Sequence, residues 1–263
     1  MPFSGYRRAP RWAPFLFLLL AAGSAAANCP ADHYDELAVV AKVFDGDTLM
    51  LEDGRRLRLI GVNTPELAHR GRNAEPLSGE ASRRLRALAA PGSRIRLRYG
   101  QQRRDRYRRL LAHVFRLDGD NITARLLEEG LGAAVQISPN FWALDCYLAA
   151  ERRARKRKRG IWGHPHFRPL DASRLPADAG GFHFVRGVLS RVGESRRALW
   201  LNLGEGFALR IANDDRRYFR QYDFGALTGR ELVARGWLYR VRGRWRMNLH
   251  HPAALEIGTL PEK

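Results

Sequence analysis

Residues 36–62, ELAVVAKVFDGDTLMLEDGRRLRLIGV, consist of three apolar, strand-like runs separated by short polar turns. Asp53 and Gly54, between the second and third runs, form a dipeptide typical of a β-hairpin turn. The stretch therefore predicts that a domain opens here with a meander of three short strands.

Arg58 lies in the third of these strands, within the segment RLRLIGVNTPE of residues 56–66. Because alternate side chains of a strand share one face, Arg58 points to the same side as Ile60 and Val62. An arginine on a face shared with branched apolar residues needs an anionic partner. The stretch thus predicts an anion beside Arg58.

The sequence after the meander predicts three helices and two more strands. Apolar residues at helical spacing predict a helix over residues 78–89, and residues 93–100 and 106–121 have the pattern of strands. Asn121 is a typical N-cap for a short helix that ends at Gly130. The longest helix is expected to start at Asn140 and to end before Gly160.

Residues 164–181 are rich in Pro, Gly, Ala and Asp and lack periodicity, which predicts a linker. In residues 182–258 five strand-like runs and one short helical or irregular piece predict a second small β-barrel, of the oligonucleotide-binding (OB) type. Aromatic residues alternate with arginines in this unit, which is typical either of core packing or of base stacking. The aromatic residues are Trp200, Trp237, Tyr239 and Trp245, and the arginines are Arg240, Arg244 and Arg246.

The chain of 263 residues has a net charge of +19, with 46 Lys and Arg residues against 27 Asp and Glu residues. The basic excess is overwhelmingly arginine, whose planar guanidinium suits phosphate. A polyanion is therefore the expected partner, either nucleic acid or an acidic envelope polymer bound by a structural protein. A hydrophobic content of 45% argues against a disordered chain.

Residues 1–27 begin with basic residues, continue with an apolar run and end in small residues, an order typical of a secretory signal peptide. The apolar run is shorter than the roughly 20 residues that a spanning helix needs. We expect cleavage near Ala27 and a periplasmic or secreted protein without stable membrane insertion, with an uncleaved anchor as the alternative. In such a compartment Cys29 and Cys146 could form a disulfide, or remain two unrelated thiols.

Three polar segments contain residues suited to phosphate chemistry. Asp45 and Asp47 flank Gly46 in one turn, where two carboxylates could bind a divalent cation or simply stabilise the turn. Residues 63–66, NTPE, form a second turn. Residues 105–109, DRYRR, form the basic start of a strand. Taken one at a time, these segments are also ordinary turn and surface chemistry.

In order, the segments DGDT, RLRLIGVNTPE, RDRYRRLLAHV, NITARLLEEGL and a basic helix ending in GIWG resemble the thermonuclease, or staphylococcal-nuclease-like, family. The resemblance covers residues 37–163. It implies a mainly β domain, a five-stranded OB-type barrel with three helices. It also implies a hydrolase that cuts DNA, RNA or both with little sequence preference, by metal-assisted attack of water on phosphorus with Ca²⁺ or another divalent cation.

The resemblance further implies roles for individual residues. Glu66 matches the carboxylate that activates or orients the attacking water. Arg58 and Arg109 match two arginines that bind the scissile phosphate. The metal ligands would be Asp47, Asn63 and Thr64, the last through its backbone carbonyl. The substrate-binding residues would be Arg106 and Tyr107.

The sequence departs from the family at Asn63, where an aspartate usually ligates calcium. The metal shell would lack one negative charge, and fewer charged ligands weaken calcium binding. Val135 and Ile137 stand where tyrosines often line the nucleotide pocket, so base stacking there should be weaker. The alternative to a nuclease is therefore a nucleic-acid-binding protein with weakened or absent catalysis.

Overall fold

The computed structural model describes Met1, residues 29–68, Gly71 and residues 73–258. Apart from Met1, the predicted signal peptide lies outside these residues. In the first unit seven strands and three helices are present. They are β1 (Glu36–Val43), β2 (Thr48–Leu51), β3 (Arg56–Leu59), β4 (Val62–Asn63), α1 (Ser78–Leu88), β5 (Arg94–Arg104), β6 (Leu110–Phe115), α2 (Ile122–Glu128), β7 (Ala133–Ala134) and α3 (Leu144–Lys156).

Five of these strands close into a barrel in the order β1-β2-β3-β6-β5, which confirms the predicted architecture. The first half of β1 pairs with β5 and its second half pairs with β2. Because β1 pairs with both of these strands, it closes the barrel. All pairings in the barrel are antiparallel except the parallel pairing of β3 with β6. Alternate apolar residues point inward, and Val40, Leu49, Leu57 and Leu97 are fully buried.

The helices follow the sequence pattern closely, with one difference. Asn121 caps α2, because its side-chain oxygen accepts a hydrogen bond from the backbone N–H of Ala124. Asn140 does not cap α3, which begins at Leu144 instead. The Asn140 amide exchanges two hydrogen bonds with the backbone of Gln102, so it fastens this segment to β5.

The second unit is also β-rich, as predicted, and contains an eight-stranded sheet. Its strands are β8 (Leu170–Asp171), β9 (Gly181–Val188), β10 (Arg191–Ser195), β11 (Ala198–Asn202), β12 (Phe207–Ala212), β13 (Glu231–Val241), β14 (Arg244–Leu249) and β15 (Leu255–Ile257). The path β10-β11-β12-β14-β13-β9 has the strand order of the first barrel. β9 and β10 correspond to the two halves of β1, interrupted at Leu189 and Ser190, and β12 pairs in parallel with β14 as β3 does with β6.

The two units pack directly against each other. Ala133 and Ile161 of the first unit share a small apolar core with Phe184 on β9. Arg235 on β13 forms a buried ion pair with Glu151 on α3 at 2.6 Å. Within residues 164–181, predicted as a linker, β8 pairs with β9 and thus adds a strand to the second sheet.

A disulfide joins Cys29 to Cys146 on α3, across 117 residues of chain. It fastens the segment before β1 to the longest helix of the first unit. None of the helices among the described residues combines the length and the apolar character that a membrane crossing requires.

Candidate active site

The turn between β1 and β2 packs tightly against the turn after β4. The carboxylate of Asp45 accepts a hydrogen bond from the backbone N–H of Asp47 at 2.9 Å, which closes the first turn. A Cβ atom added to Gly46 would lie 2.5 Å from Thr64 Oγ1 and 2.6 Å from the Cβ of Ala81. Glycine is therefore required because the two turns approach so closely.

The carboxylate of Asp47 lies at the centre of the site and is almost fully buried. Its Oδ2 accepts hydrogen bonds from the backbone N–H and the hydroxyl of Thr64, at 3.0 and 3.1 Å. Its Oδ1 accepts from the hydroxyl of Thr48 at 3.1 Å. These bonds fix the position of the carboxylate before any ligand binds.

Arg58 forms an ion pair with Asp47, whose Oδ2 lies 3.0 Å from Arg58 Nη2. The anionic partner that the sequence predicted for Arg58 is thus supplied, in the free protein, by Asp47. Arg58 also donates to the backbone carbonyl of Leu59 at 2.9 Å and to Asn63 Oδ1 at 3.3 Å. Its side chain is only 12% exposed, so these partners hold the guanidinium in one orientation.

Glu66 stands at the exposed edge of the same cluster. Burial of its carboxyl against the turn, together with the charges of Asp47 and Asp45, raises the pKa of Glu66 to about 7. Burial and the charge of Asp47 raise the pKa of Asp45 to about 6. Since the Glu66 side chain reaches solvent, we attribute more of its shift to the neighbouring charges than to burial. Three carboxyl groups thus face one arginine, and a cation would relieve their repulsion.

The oxygen atoms of this cluster suit a hard divalent cation. Asp47 offers a carboxylate, Asn63 an amide oxygen and Thr64 a backbone carbonyl, which are ligand types that calcium prefers. The Asn63 amide nitrogen lies 3.4 Å from the carbonyl oxygen of Thr64, so both potential ligands belong to one network. Among the described residues no three His, Cys, Asp or Glu side chains are grouped so that they alone could hold a metal. The three potential ligands are therefore of different types, and only the carboxylate of Asp47 carries a charge.

The remaining predicted residues lie in the loop between β5 and β6. Asp105 organises this loop: its carboxylate accepts from the backbone N–H groups of Tyr107 and Arg109 and from Arg109 Nε, at 2.9, 2.9 and 2.7 Å. The guanidinium of Arg106 lies over the Tyr107 ring, 4.8 Å from its centre, and Tyr107 is 64% exposed. Arg108 has a left-handed backbone (φ 65°), a conformation that favours glycine.

The two groups of residues share one face of the barrel. Arg58 on β3 lies opposite Leu111 on β6, and Arg109 precedes Leu111 by two residues, so both arginines point to the same side. In the described part of the chain no hydrogen bond or ion pair joins Arg109 to the acidic cluster. The terminal nitrogens of Arg109 form no hydrogen bond there either, and its guanidinium lies 5.5 Å from the centre of the Tyr107 ring.

Sequence reasoning did not identify every residue that shapes the site. Glu75 accepts a hydrogen bond from the backbone N–H of Glu66 at 2.8 Å, and its own N–H donates to the Glu66 carbonyl. This reciprocal pair holds the loop that carries Glu66. No spacing or motif in the sequence distinguishes Glu75, since it lies in an aperiodic loop.

Known proteins resemble this chain over the same region. Residues 56–164 match the family model described as staphylococcal nuclease homologue. The thermonuclease of Staphylococcus hyicus is 35% identical over 128 residues, which cover 48% of this chain and 75% of that protein. The thermonuclease of Staphylococcus intermedius is 34% identical over 134 residues, 50% of this chain and 79% of that protein. Endonuclease YncB of Bacillus subtilis (strain 168) is 32% identical over 126 residues, 46% of this chain and 59% of that protein.

Proposed function

Because this chain belongs to the staphylococcal nuclease family and is a nuclease that hydrolyses phosphodiester bonds, we propose that it is an exported, calcium-dependent enzyme that cuts DNA, RNA or both with little sequence preference. The observation that carries this proposal is the convergence of Asp47, Arg58 and Asn63 beside Glu66. Fixed positive groups and a carboxyl of raised pKa are what the hydrolysis of a phosphodiester needs in one place.

Glu66 is proposed as the general base. A base works best when its pKa lies near the operating pH, and without a bound cation the pKa of Glu66 is raised to about 7. Two hydrogen bonds with Glu75, one to its carboxylate and one from its N–H, hold the backbone of Glu66 in place. The carboxyl group of Glu66 would accept a proton from an attacking water molecule.

Arg58 and Arg109 are proposed to bind the phosphate oxygens, whose negative charge grows as water attacks. Arg58 is already oriented by Asp47 and Asn63, so it needs little rearrangement as that charge develops. Arg109 is held at Nε by Asp105 and can present its terminal nitrogens to the substrate. Arg106 and the exposed ring of Tyr107 would bind the neighbouring nucleotide.

Asp47, Asn63 and Thr64 are proposed to hold the calcium ion. When bound, the ion supplies positive charge that neutralises the phosphate oxygens. The mixed donor set supports calcium because it consists wholly of oxygen atoms, and its small charge supports weak binding, of the order of 10⁻⁴ to 10⁻³ M as in extracellular sites.

Export is proposed from two features. The basic, apolar and small-residue order of residues 1–27 is typical of a signal peptide. The disulfide between Cys29 and Cys146 suits an oxidising compartment such as the periplasm or the exterior.

A second candidate is a nucleic-acid-binding protein with weakened or absent catalysis. It is supported by Asn63, whose amide group replaces a charged ligand in the cluster. Binding that persists in EDTA without any cleavage, and that weakens steeply with salt, would favour this candidate.

Glu66→Gln tests the proposed mechanism, because the amide keeps the shape of the side chain but cannot accept the proton. Cleavage of a labelled oligonucleotide at millimolar calcium should slow by about 100- to 10,000-fold. Glu52→Gln is the matched control, since Glu52 is exposed in the turn after β2, and it should cut at the wild-type rate. If Glu66→Gln also cuts at that rate, Glu66 is not the base.

A further inference from the structure

A basic groove of about 370 Å³ lies on the second unit, far along the chain from the acidic cluster. Its walls come from the turn between β10 and β11 and from β11, β12, β13 and β14. The side chains that define it are Arg196, Arg197, Trp200, Arg210, Tyr239 and Arg246.

Strand register places the inner part of the basic groove on one face of the sheet. Trp200 lies opposite Arg210, and Arg246 lies opposite Tyr239. These side chains are half-buried, whereas their neighbours along each strand, such as Leu201 and Met247, fill the core. The groove is therefore a part of the sheet surface with fixed backbone geometry.

The arginines of the basic groove are not neutralised by the protein. Arg196, Arg197, Arg210 and Arg246 form no ion pair with Asp or Glu within the described residues, and no acidic side chain there lines the groove. Elsewhere arginines are commonly paired, as Arg235 is with Glu151. Unpaired cationic groups collected in a concave surface attract an anionic ligand.

The aromatic side chains of the groove are held in position. Trp200 donates from Nε1 to Ser195 Oγ at 3.1 Å, and the guanidinium of Arg246 lies 4.7 Å from the centre of its ring. The hydroxyl of Tyr239 donates to Asn248 Oδ1 at 3.0 Å. Such pre-orientation lowers the entropy cost of binding a planar group.

We propose that the basic groove binds single-stranded nucleic acid, with Arg210 and Arg246 on the phosphates and Trp200 and Tyr239 stacking on unpaired bases. A base would then replace the Arg246 guanidinium over the Trp200 ring. A volume of about 370 Å³ falls within the range of small-ligand sites and suits one nucleotide of a longer strand. Bases within a duplex are already stacked, so a single strand is the ligand that uses both the charges and the rings. The groove would hold a strand whose phosphodiester bonds are cut in the first unit, a role that rests on the proposed nuclease function.

Fluorescence anisotropy of the full chain with a labelled 15-nucleotide oligo-dT, in EDTA, tests the proposal without cleavage. Arg210→Gln with Arg246→Gln should raise Kd by about tenfold or more and reduce the slope of log K against log salt by about 1.4. Trp200→Leu should raise Kd by about 5- to 100-fold. The matched control, Arg174→Gln with Arg220→Gln, removes the same charge from exposed positions outside the groove and should change Kd by less than about twofold.

An abasic oligonucleotide of the same length separates stacking from charge. It should bind more weakly than oligo-dT and should be insensitive to Trp200→Leu. Equal binding of the abasic strand, or wild-type affinity of both groove variants, would overturn the proposal. Should either groove variant unfold, Arg196→Gln with Arg197→Gln provides the same test from the exposed rim.

Cleavage distinguishes this proposal from the nuclease function. The groove variants should raise KM for long single strands while leaving kcat on a dinucleotide unchanged. Loss of all cleavage by the wild type, with oligo-dT binding still sensitive to Trp200→Leu, would remove the proposed nuclease function but leave the groove as a binding site.

Discussion

At the scale of single residues, Asn63 sets the strength of the proposed calcium site. Its Oδ1 already faces Arg58 Nη2 at 3.3 Å, and its amide lies beside the Thr64 carbonyl. An aspartate would fit the same position and add the charge that the site lacks. The same carboxylate would also increase repulsion within the cluster when calcium is absent.

Asn63→Asp should therefore lower the calcium concentration for half-maximal cleavage by about tenfold. It should also lower the melting temperature in EDTA, and calcium should reverse that loss. Asn63→Ala, which removes the oxygen without adding charge, should shift the calcium requirement in the opposite direction. An unchanged calcium requirement in both variants would place the metal elsewhere.

Arg58 shows how far a sequence can define a site. Its position on an apolar face was sufficient to predict an anionic neighbour, because burial of an unpaired guanidinium is costly. Asp47 could be paired with it only once the hairpin register was known, which sets Thr48 opposite Arg58. The sequence did not indicate the hydrogen bonds of Glu75 with Glu66, since they depend on the path of an aperiodic loop.

At the scale of elements, the second unit is fastened to the strand that carries Asn63. Glu151 on α3 accepts from the backbone N–H of Ala134 at 2.6 Å and from Arg235 of the second unit. Ala134 belongs to β7, which pairs with β4, where Asn63 lies. The ion pair thus connects the two units through one short sheet next to the site.

Arg235→Met should lower the free energy of unfolding by about 3 to 5 kcal/mol, because the buried charge of Glu151 then keeps only the longer contact with Arg155, at 3.4 Å. Adding Glu151→Met should recover a large part of that loss, measured by urea denaturation. Arg216→Met is the control: its pair with Glu194 is exposed, and such pairs contribute about 1 kcal/mol or less. Equal losses from Arg235→Met and Arg216→Met would refute the buried-pair account.

Helix ends show the same limit of sequence reasoning as Arg58. Asn121 and Asn140 have the same capping chemistry, yet only Asn121 caps a helix. The amide of Asn140 instead meets the backbone of Gln102, far away in the sequence. Local preference decides a cap only where no tertiary partner competes for the same side chain.

At the scale of the whole molecule, buried His113 couples stability to pH. Burial, with a smaller contribution from the charge of Arg98, lowers the pKa of His113 to about 3. Its Nδ1 lies 2.8 Å from the hydroxyl of Tyr147, inside the first unit. The unfolded chain takes up a proton at this histidine below about pH 6.5, whereas the folded chain does so only near pH 3.

This difference in pKa between the folded and unfolded chain makes stability fall as the pH falls. The contribution of His113 is fully present above pH 6.5 and is lost as the pH falls toward 3, by up to about 1.4 kcal/mol per pH unit. Unfolding free energies of the wild type and of His113→Gln should therefore converge as the pH falls from 7 to 4.5. Groups common to both proteins, including Glu66 and Asp45, cancel in the difference. A difference that does not change with pH would contradict the assignment.

The architecture of the whole molecule was the most predictable level. Alternating apolar runs and turn dipeptides predicted the first barrel and the β-rich second unit, because both follow from local periodicity. Local periodicity did not predict the interruption between β9 and β10 at Leu189 and Ser190. It also did not predict the contact between Arg235 and Glu151. The ion pair depends on how the two units pack, and the interruption depends on backbone hydrogen bonds from Leu189 to Arg230 and from Ser190 to Asn202. Local patterns encode neither.

Digestion of plasmid DNA and of RNA by the mature, folded wild-type protein over a calcium series, with EDTA as the blank, tests the proposed calcium-dependent cleavage. We expect cleavage at millimolar calcium and none in EDTA, with the same fold by circular dichroism in both conditions. A folded protein that binds both nucleic acids but leaves them uncut throughout the calcium series would rule out the proposed cleavage and would favour a binding protein instead.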